Sequence, residues 1–199
     1  MLDARQTFVA RGAFDARWQP QAKYTEIGDA VIRAGEPLRT APTLVSAQST
    51  AARLPLSALL ESAADGAFRN MLRDVKQDGK PLRTGGHTAR TGLSLPLSWG
   101  GTVDYNLADA DWTRLRFVAS LELVKGKLTG KQRDGVKVAV IVKGDGNELA
   151  RVQLSAAGKP QALAVDISGV KTLRLEMANQ GDDDAPVRSI DLAEAYLEQ

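Results

Sequence analysis

Apolar and polar residues alternate with a period of two through most of the chain beyond residue 90. Between Arg114 and Leu123 the positions Leu115, Phe117, Ala119, Leu121 and Leu123 point one way, while Arg114, Arg116, Ser120 and Glu122 point the other. That is the pattern of a strand with one buried face. Val103, Tyr105 and Leu107 share a face in the same manner, as do Leu163, Val165 and Ile167, and then Leu173, Leu175 and Met177. Residues 136–142 are apolar apart from Lys137, as expected of a central strand covered on both sides. Gly144-Asp145-Gly146-Asn147 predicts a tight hairpin turn, and Gly100-Gly101 separates two further short strands. The acidic loop Gly181-Asp182-Asp183-Asp184 precedes a last segment over residues 190–197. Strands at this spacing with no long helices between them predict an all-β sandwich rather than a parallel α/β sheet.

The earlier residues are less regular. Residues 1–53 read as an N-terminal extension of two to four short strands and loops, with Thr7-Phe8-Val9 as one candidate and residues 24–32 as another, interrupted at Pro37 and Pro42. Residues 54–199 form the sandwich domain. Over residues 56–75 the apolar spacing is roughly helical, but Asp65-Gly66 lies in the middle, and the glycine alone costs a continuous helix about 1 kcal/mol. A short helix or turn over 56–63, followed by extended chain, is the better expectation.

Composition narrows the function classes. The chain has 199 residues, with 26 basic and 24 acidic side chains for a net charge of +2. The basic residues are scattered among acidic ones, whereas nucleic-acid binding needs a concentrated basic face, so nucleic acid is not an expected partner. Cysteine is absent, which removes disulfides and thiolate metal sites. No apolar stretch approaches the roughly 20 residues of a membrane helix. Met1-Leu2-Asp3 opens with an acid rather than the basic head of a signal peptide; an exported form is expected to have had its signal removed. No nucleophile elbow, phosphate-binding glycine loop or zinc-protease helix is present, so the chain is read as a binding or assembly module and not an enzyme.

A collinear series of short motifs carries a family resemblance. It comprises Leu56-Ser57-Ala58-Leu59; Asp74 followed by Asp78-Gly79-Lys80-Pro81-Leu82 and Gly85-Gly86; Gly92-Leu93; Val103-Asp104-Tyr105-Asn106-Leu107; Asp145-Gly146-Asn147-Glu148-Leu149; the run from Val165 to Leu175; and Asp191-Leu192-Ala193-Glu194-Ala195. In this order the motifs resemble the NPCBM family of carbohydrate-binding modules over about residues 54–197. The resemblance implies a jelly-roll sandwich of the galactose-binding type, an extracellular or cell-envelope location, and a glycan or envelope polysaccharide as partner. The chain departs from the family pattern where a His usually follows the Gly-Ile step (here Leu95-Pro96), at the closing Trp (here Leu192) and at the Tyr before that step (here Ala89). These departures define the rival reading, a structural or protein-interaction domain of an envelope assembly that has lost the sugar site and whose partner is another envelope protein.

Sugar recognition stacks an aromatic face on the C–H face of a pyranose and reads its hydroxyls with polar side chains. Trp99, in the connection before Gly100-Gly101, is the first candidate platform; a buried indole there would instead pin the loop to the sandwich edge. Asp104, Asn106 and Asp111 are the candidate hydroxyl readers, and His87, the single histidine, is a candidate donor. Trp112 and Tyr105 are expected in the core. Asp182, Asp183 and Asp184 are the candidate ligands of a structural calcium, with Asp145, Asn147 and Glu148 as a second set of hard oxygens; the alternative is a solvated loop and a plain hairpin turn. No other cofactor is expected. Residues 125–135 concentrate Lys125, Lys127, Lys131 and Arg133, and are expected to form a mobile loop or a contact for an anionic polymer.

Overall fold

The computed structural model describes residues 24–27, 30–33, 52–76, 78–84, 86–96, 100–108, 110–124, 129–182 and 186–199. In the N-terminal segment, β1 (Tyr24–Ile27) and β2 (Ala30–Arg33) form an antiparallel hairpin, while the strand expected at Thr7-Phe8-Val9 falls outside the described residues. Thirteen further strands follow: β3 (Arg53–Pro55), β4 (Ala63–Gly66), β5 (Leu72–Arg73), β6 (Arg83–Thr84), β7 (His87–Thr88), β8 (Gly92–Pro96), β9 (Gly100–Asn106), β10 (Arg114–Leu123), β11 (Lys137–Gly144), β12 (Asn147–Ser155), β13 (Gln161–Asp166), β14 (Thr172–Asn179) and β15 (Val187–Glu198). A short 3-10 turn at Leu56–Ala58 lies within the helix or turn expected over 56–63, and the extended chain expected after it begins as β4 but is interrupted by a second 3-10 turn at Ala67–Asn70.

Two antiparallel sheets face each other. The first has the order β13-β10-β15-β8-β5, with β3 also paired to β15; the second runs β12-β11-β14-β9-β4. From β8 onward every connection except the β11–β12 hairpin carries the chain from one sheet to the other, which is how a jelly roll fills both layers from one strand sequence. The predicted alternation decides which side chains meet between the layers. Leu115, Phe117 and Ala119 face Val103, Tyr105, Leu173, Leu175 and Met177 across one core, all nearly inaccessible, each large apolar side chain contributing on the order of 2 kcal/mol. Trp112 and Tyr105 lie in this core as expected. Complete burial also pushes the Tyr105 phenol far above the ordinary tyrosine value.

β11 is buried on both faces, and on its outer side Ile141 is flanked in register by Arg151 and Glu176, whose aliphatic stems cover it. The Asp145-Gly146 turn takes positive φ at both residues (49° and 86°), the geometry that matches the right-handed twist of the strands it joins. Residues 129–135 depart from the expected loop. They include a five-residue helix, α1 (Gly130–Asp134), started by a capping box in which Thr129 Oγ1 accepts from the Gln132 amide and Gln132 Oε1 accepts from the Thr129 amide. The Thr-x-x-Gln spacing is the sequence signature of that box, and the lysines around it masked the signal.

β15 breaks its own alternation. Its pairing with β10 slips between Arg116↔Tyr196 and Val118↔Ala193, so Glu194 and Ala195 together oppose Phe117 in a bulge, with Glu194 at φ 50°. Ile190, Leu192, Ala195 and Leu197 thereby all point inward. The opposite side of β15 is also buried, because residues 74–91 fold over it: Leu82 and Ala89 pack on Ala193, and Lys76 reaches Asp191 at 3.0 Å and Glu122 at 2.9 Å. Asp191, 1% exposed, also accepts from Ser94 Oγ at 2.7 Å and Ser189 Oγ at 3.3 Å. Burial works to lower the Lys76 pKa, but the Glu122 hydrogen bond and the Asp191 charge outweigh it and hold the ammonium above its ordinary value. Breaking a buried pair by removing one partner strands the other, so Asp191→Ala should lower the unfolding free energy by about 3 kcal/mol. Ser189→Ala, losing only a long bond, should cost less than about 1 kcal/mol. Urea unfolding of the two variants measures the difference; similar midpoints for both would show that the ion pair does not organise this face.

Candidate functional site

The candidates named from sequence lie on elements that hold them apart. In β9, Val103 and Tyr105 point into the core, which turns Asp104 outward on the second sheet. Arg174 is its register partner on β14; Arg174 Nε and Nη2 donate to the two carboxylate oxygens at 2.6 and 2.7 Å. These bonds hold the Asp104 carboxyl below the ordinary aspartate value, partial burial acting weakly against them. Asn106 ends the strand, and its Oδ1 accepts from the Ala108 amide at 3.0 Å, a local turn that starts the crossing to β10. Asp111 is exposed on that crossing, next to the buried Trp112. His87 is exposed in the β6–β7 hairpin opposite Thr84, on the outer side of the first sheet, whereas Asp104 faces out from the second.

Trp99 lies outside the described residues. Its neighbour Gly100 opens β9 at the end opposite Asn106, and six residues of strand separate those ends by about 20 Å. Asp104, Asn106, Asp111 and His87 are therefore not gathered around the connection that carries Trp99. That connection leaves β8 at Pro96, which pairs with Ser189, and enters β9 at Gly100, which pairs with Ala178.

The same end of the sandwich brings together two charged segments that are remote in sequence. The Asp182 amide donates to the Gly135 carbonyl at 3.0 Å, the Gln180 amide to the Lys137 carbonyl at 2.8 Å, and the Val124 amide to the Pro186 carbonyl at 2.8 Å. The basic segment that includes α1 and the acidic loop are thus zipped side by side. Nothing in their local composition signalled this pairing; only the β10–β11 and β14–β15 crossings, which exit at one end, could have.

Of the calcium candidates, Asp183 and Asp184 lie outside the described residues and Asp182 is exposed. In the second set, the Asp145 carboxylate accepts from the Thr172 amide at 2.8 Å and the Lys171 amide at 3.1 Å, and Glu148 pairs with Arg151. Among the described residues no three acidic or histidine side chains are grouped to hold a metal ion. No helix among them is long and apolar enough to cross a membrane.

Residues 53–198 match the model of the NPCBM/NEW2 domain. The chain belongs to the NPCBM/NEW2 domain family. Solved structures share the sandwich of this NPCBM chain. A CBM51 module from Clostridium perfringens GH95, in complex with methyl-galactose, is 17% identical with a TM-score of 0.57, over 73% of this chain and 99% of that one. The tandem CBM51 modules of Sp3GH98, the family 98 glycoside hydrolase from Streptococcus pneumoniae SP3-BS71, are 14% identical with a TM-score of 0.61, over 86% and 54%. The M60 catalytic domain with the CBM51-1 and CBM51-2 domains of C. perfringens ZmpB is 18% identical with a TM-score of 0.58, over 74% of this chain and 15% of that one. At these identities the likeness establishes the fold, and this chain spans only a small part of the ZmpB protein. No curated protein matches the chain.

The Asp104–Arg174 pair has a pH signature. Because the folded-state pKa of Asp104 lies below the unfolded value, its contribution is complete above the ordinary aspartate range near about pH 4 and is lost as pH falls through the lower folded value. Arg174 is well exposed, so Asp104→Asn should cost no more than about 1 kcal/mol at neutral pH. The deficit should shrink as pH falls below the ordinary aspartate range. Denaturant unfolding at neutral pH and in acid reads it, and an unchanged deficit in acid would mean that the ion pair is not its source.

Proposed function

We propose that the NPCBM domain is a non-catalytic carbohydrate-binding module of an exported or cell-envelope protein. Membership of the NPCBM/NEW2 family carries this reading, supported by a sandwich of the same fold, the CBM51 from C. perfringens GH95, in complex with methyl-galactose. The recognition surface is assigned to the end where the 96–100, 124–136 and 180–186 connections leave the sheets. Trp99 is its stacking platform, since sugar affinity in such modules rests on an aromatic face beside polar loop groups. Asp104 is held by Arg174 and the Asn106 side-chain oxygen by the Ala108 amide, which favours hydroxyl readers on the connections at the Trp99 end.

The Asp104–Arg174 pair also favours a second reading, a structural or protein-interaction domain of an envelope assembly that keeps the fold without a sugar site. A glycan array followed by affinity electrophoresis separates the two. A carbohydrate-binding module should retard on at least one polysaccharide, and Trp99→Ala should weaken that binding about tenfold or more without moving the thermal midpoint. Absence of retardation by every glycan would remove the sugar reading and leave the interaction domain.

A further inference from the structure

A cleft of about 260 Å³ opens on the outer face of the six-stranded sheet, and none of its lining residues is one that the sequence pointed to for binding. Its floor is the outward row of β10 and β13, where Val118 pairs with Ala162 and Arg116 with Ala164. The two alanines leave a trough that runs out over β13, the edge strand. At one end stands Glu194, on the β15 bulge, its carboxylate fixed by the Arg90 amide at 3.0 Å. At the other end are Arg114 and Glu198, about 10 Å along the strands from Glu194, with Arg116 between the two ends.

The charges at the second end are unevenly matched. Glu198 is shared at long range by Arg53 at 3.4 Å and Arg116 at 3.5 Å, while Arg53 also stacks 3.5 Å over the Tyr196 ring centroid. Arg114 makes no direct ion pair among the described residues; the carboxylate of its register partner Asp166 accepts from the Ser168 amide at 2.8 Å and feels the Arg114 charge only at longer range. Arginine can only donate and an ionised carboxylate only accept. The cleft therefore asks for an anion with acceptor oxygens at the arginine end, hydroxyl donors at the Glu194 end, and a C–H face against Val118, Ala162 and Ala164. Its volume lies just below the roughly 300–1,000 Å³ of sites for drug-sized ligands, which suits a single ring with its chain continuing across β13.

We propose that this cleft is a second saccharide site, specific for a uronate unit of an acidic glycan. The carboxylate lies on Arg114 and Arg116 in charge-assisted hydrogen bonds, and the ring hydroxyls donate to Glu194. The site is independent of the Trp99 connection and stands or falls without it.

Digalacturonate titrated into the full chain, followed by backbone amide NMR and calorimetry, tests this. Amide shifts should be confined to residues 114–118, 161–166 and 194–198. Affinity should fall about tenfold in Arg114→Ala and for the neutral digalactose, and should weaken as salt rises. Ala164→Trp, which fills the trough from an exposed position, should abolish binding, with thermal midpoints confirming that both variants fold. Trp99→Ala should leave digalacturonate binding unchanged, so failure of the cleft and failure of the loop site give different results. No shifts with digalacturonate, equal binding of the neutral disaccharide, or indifference to Arg114→Ala would each overturn the assignment.

Discussion

Around Asp191 the first sheet and the segment that covers it are tied into one unit. The carboxylate sits in the middle of β15, the strand with the most partners in the molecule, pairing with β10 along one edge and with β8 and β3 along the other. Its side chain points away from the sandwich core, where the outer face of an antiparallel sheet would ordinarily meet water. Here residues 74–91 replace the water, and the replacement is stable only if the carboxylate is paired: Lys76, Ser94 and Ser189 supply that pairing. A charge so deeply placed costs several kcal/mol in desolvation, so the contact specifies where the covering segment lies more than it adds net stability.

The two outer faces that remain differ in kind. On the second sheet Arg174 is held by Asp104, Lys143 by Glu176 and Arg151 by Glu148, a layer of matched pairs over Ile141 with little spare hydrogen-bonding capacity. The opposite charges of such a surface cancel one another within a Debye length of about 8–10 Å. On the first sheet Arg53 and Arg116 share the single carboxylate of Glu198 at long range, and the floor falls away at Ala162 and Ala164.

Period-two alternation made the core legible, because burial on one face is a local property of a strand: Leu115, Phe117, Leu173 and Leu175 are where the pattern put them. The same reasoning placed Trp112 and Tyr105 inside. What it could not supply was the pairing of distant segments. The ion pair of Asp104 with Arg174, seventy residues away in sequence, exists only because β14 lies beside β9. The approach of Asp182 to Gly135 and the descent of Leu82 onto Ala193 are likewise consequences of topology rather than of any local signal. The α1 capping box was the exception, a local signal present in Thr129 and Gln132 but overshadowed by the surrounding charge.

The bulge at Glu194 links the fold to the cleft. A non-glycine residue at φ 50° carries a conformational cost of about 1–3 kcal/mol that the surrounding structure must offset. Two gains offset it. The extra residue resets the alternation so that Ala195 and Leu197 return to the core after Leu192, and without it the last four residues of β15 would present their polar side chains inward. It also frees the Glu194 backbone from the ladder, letting its amide reach the Thr91 carbonyl at 2.8 Å while its carboxylate takes the Arg90 amide. The covering segment is thereby fastened at a second point beyond Asp191, and it ends there, leaving Val118, Arg116 and Arg114 uncovered beside it. The cleft is thus the stretch of outer face that the 74–91 segment stops short of, bounded by the same residue that stops it.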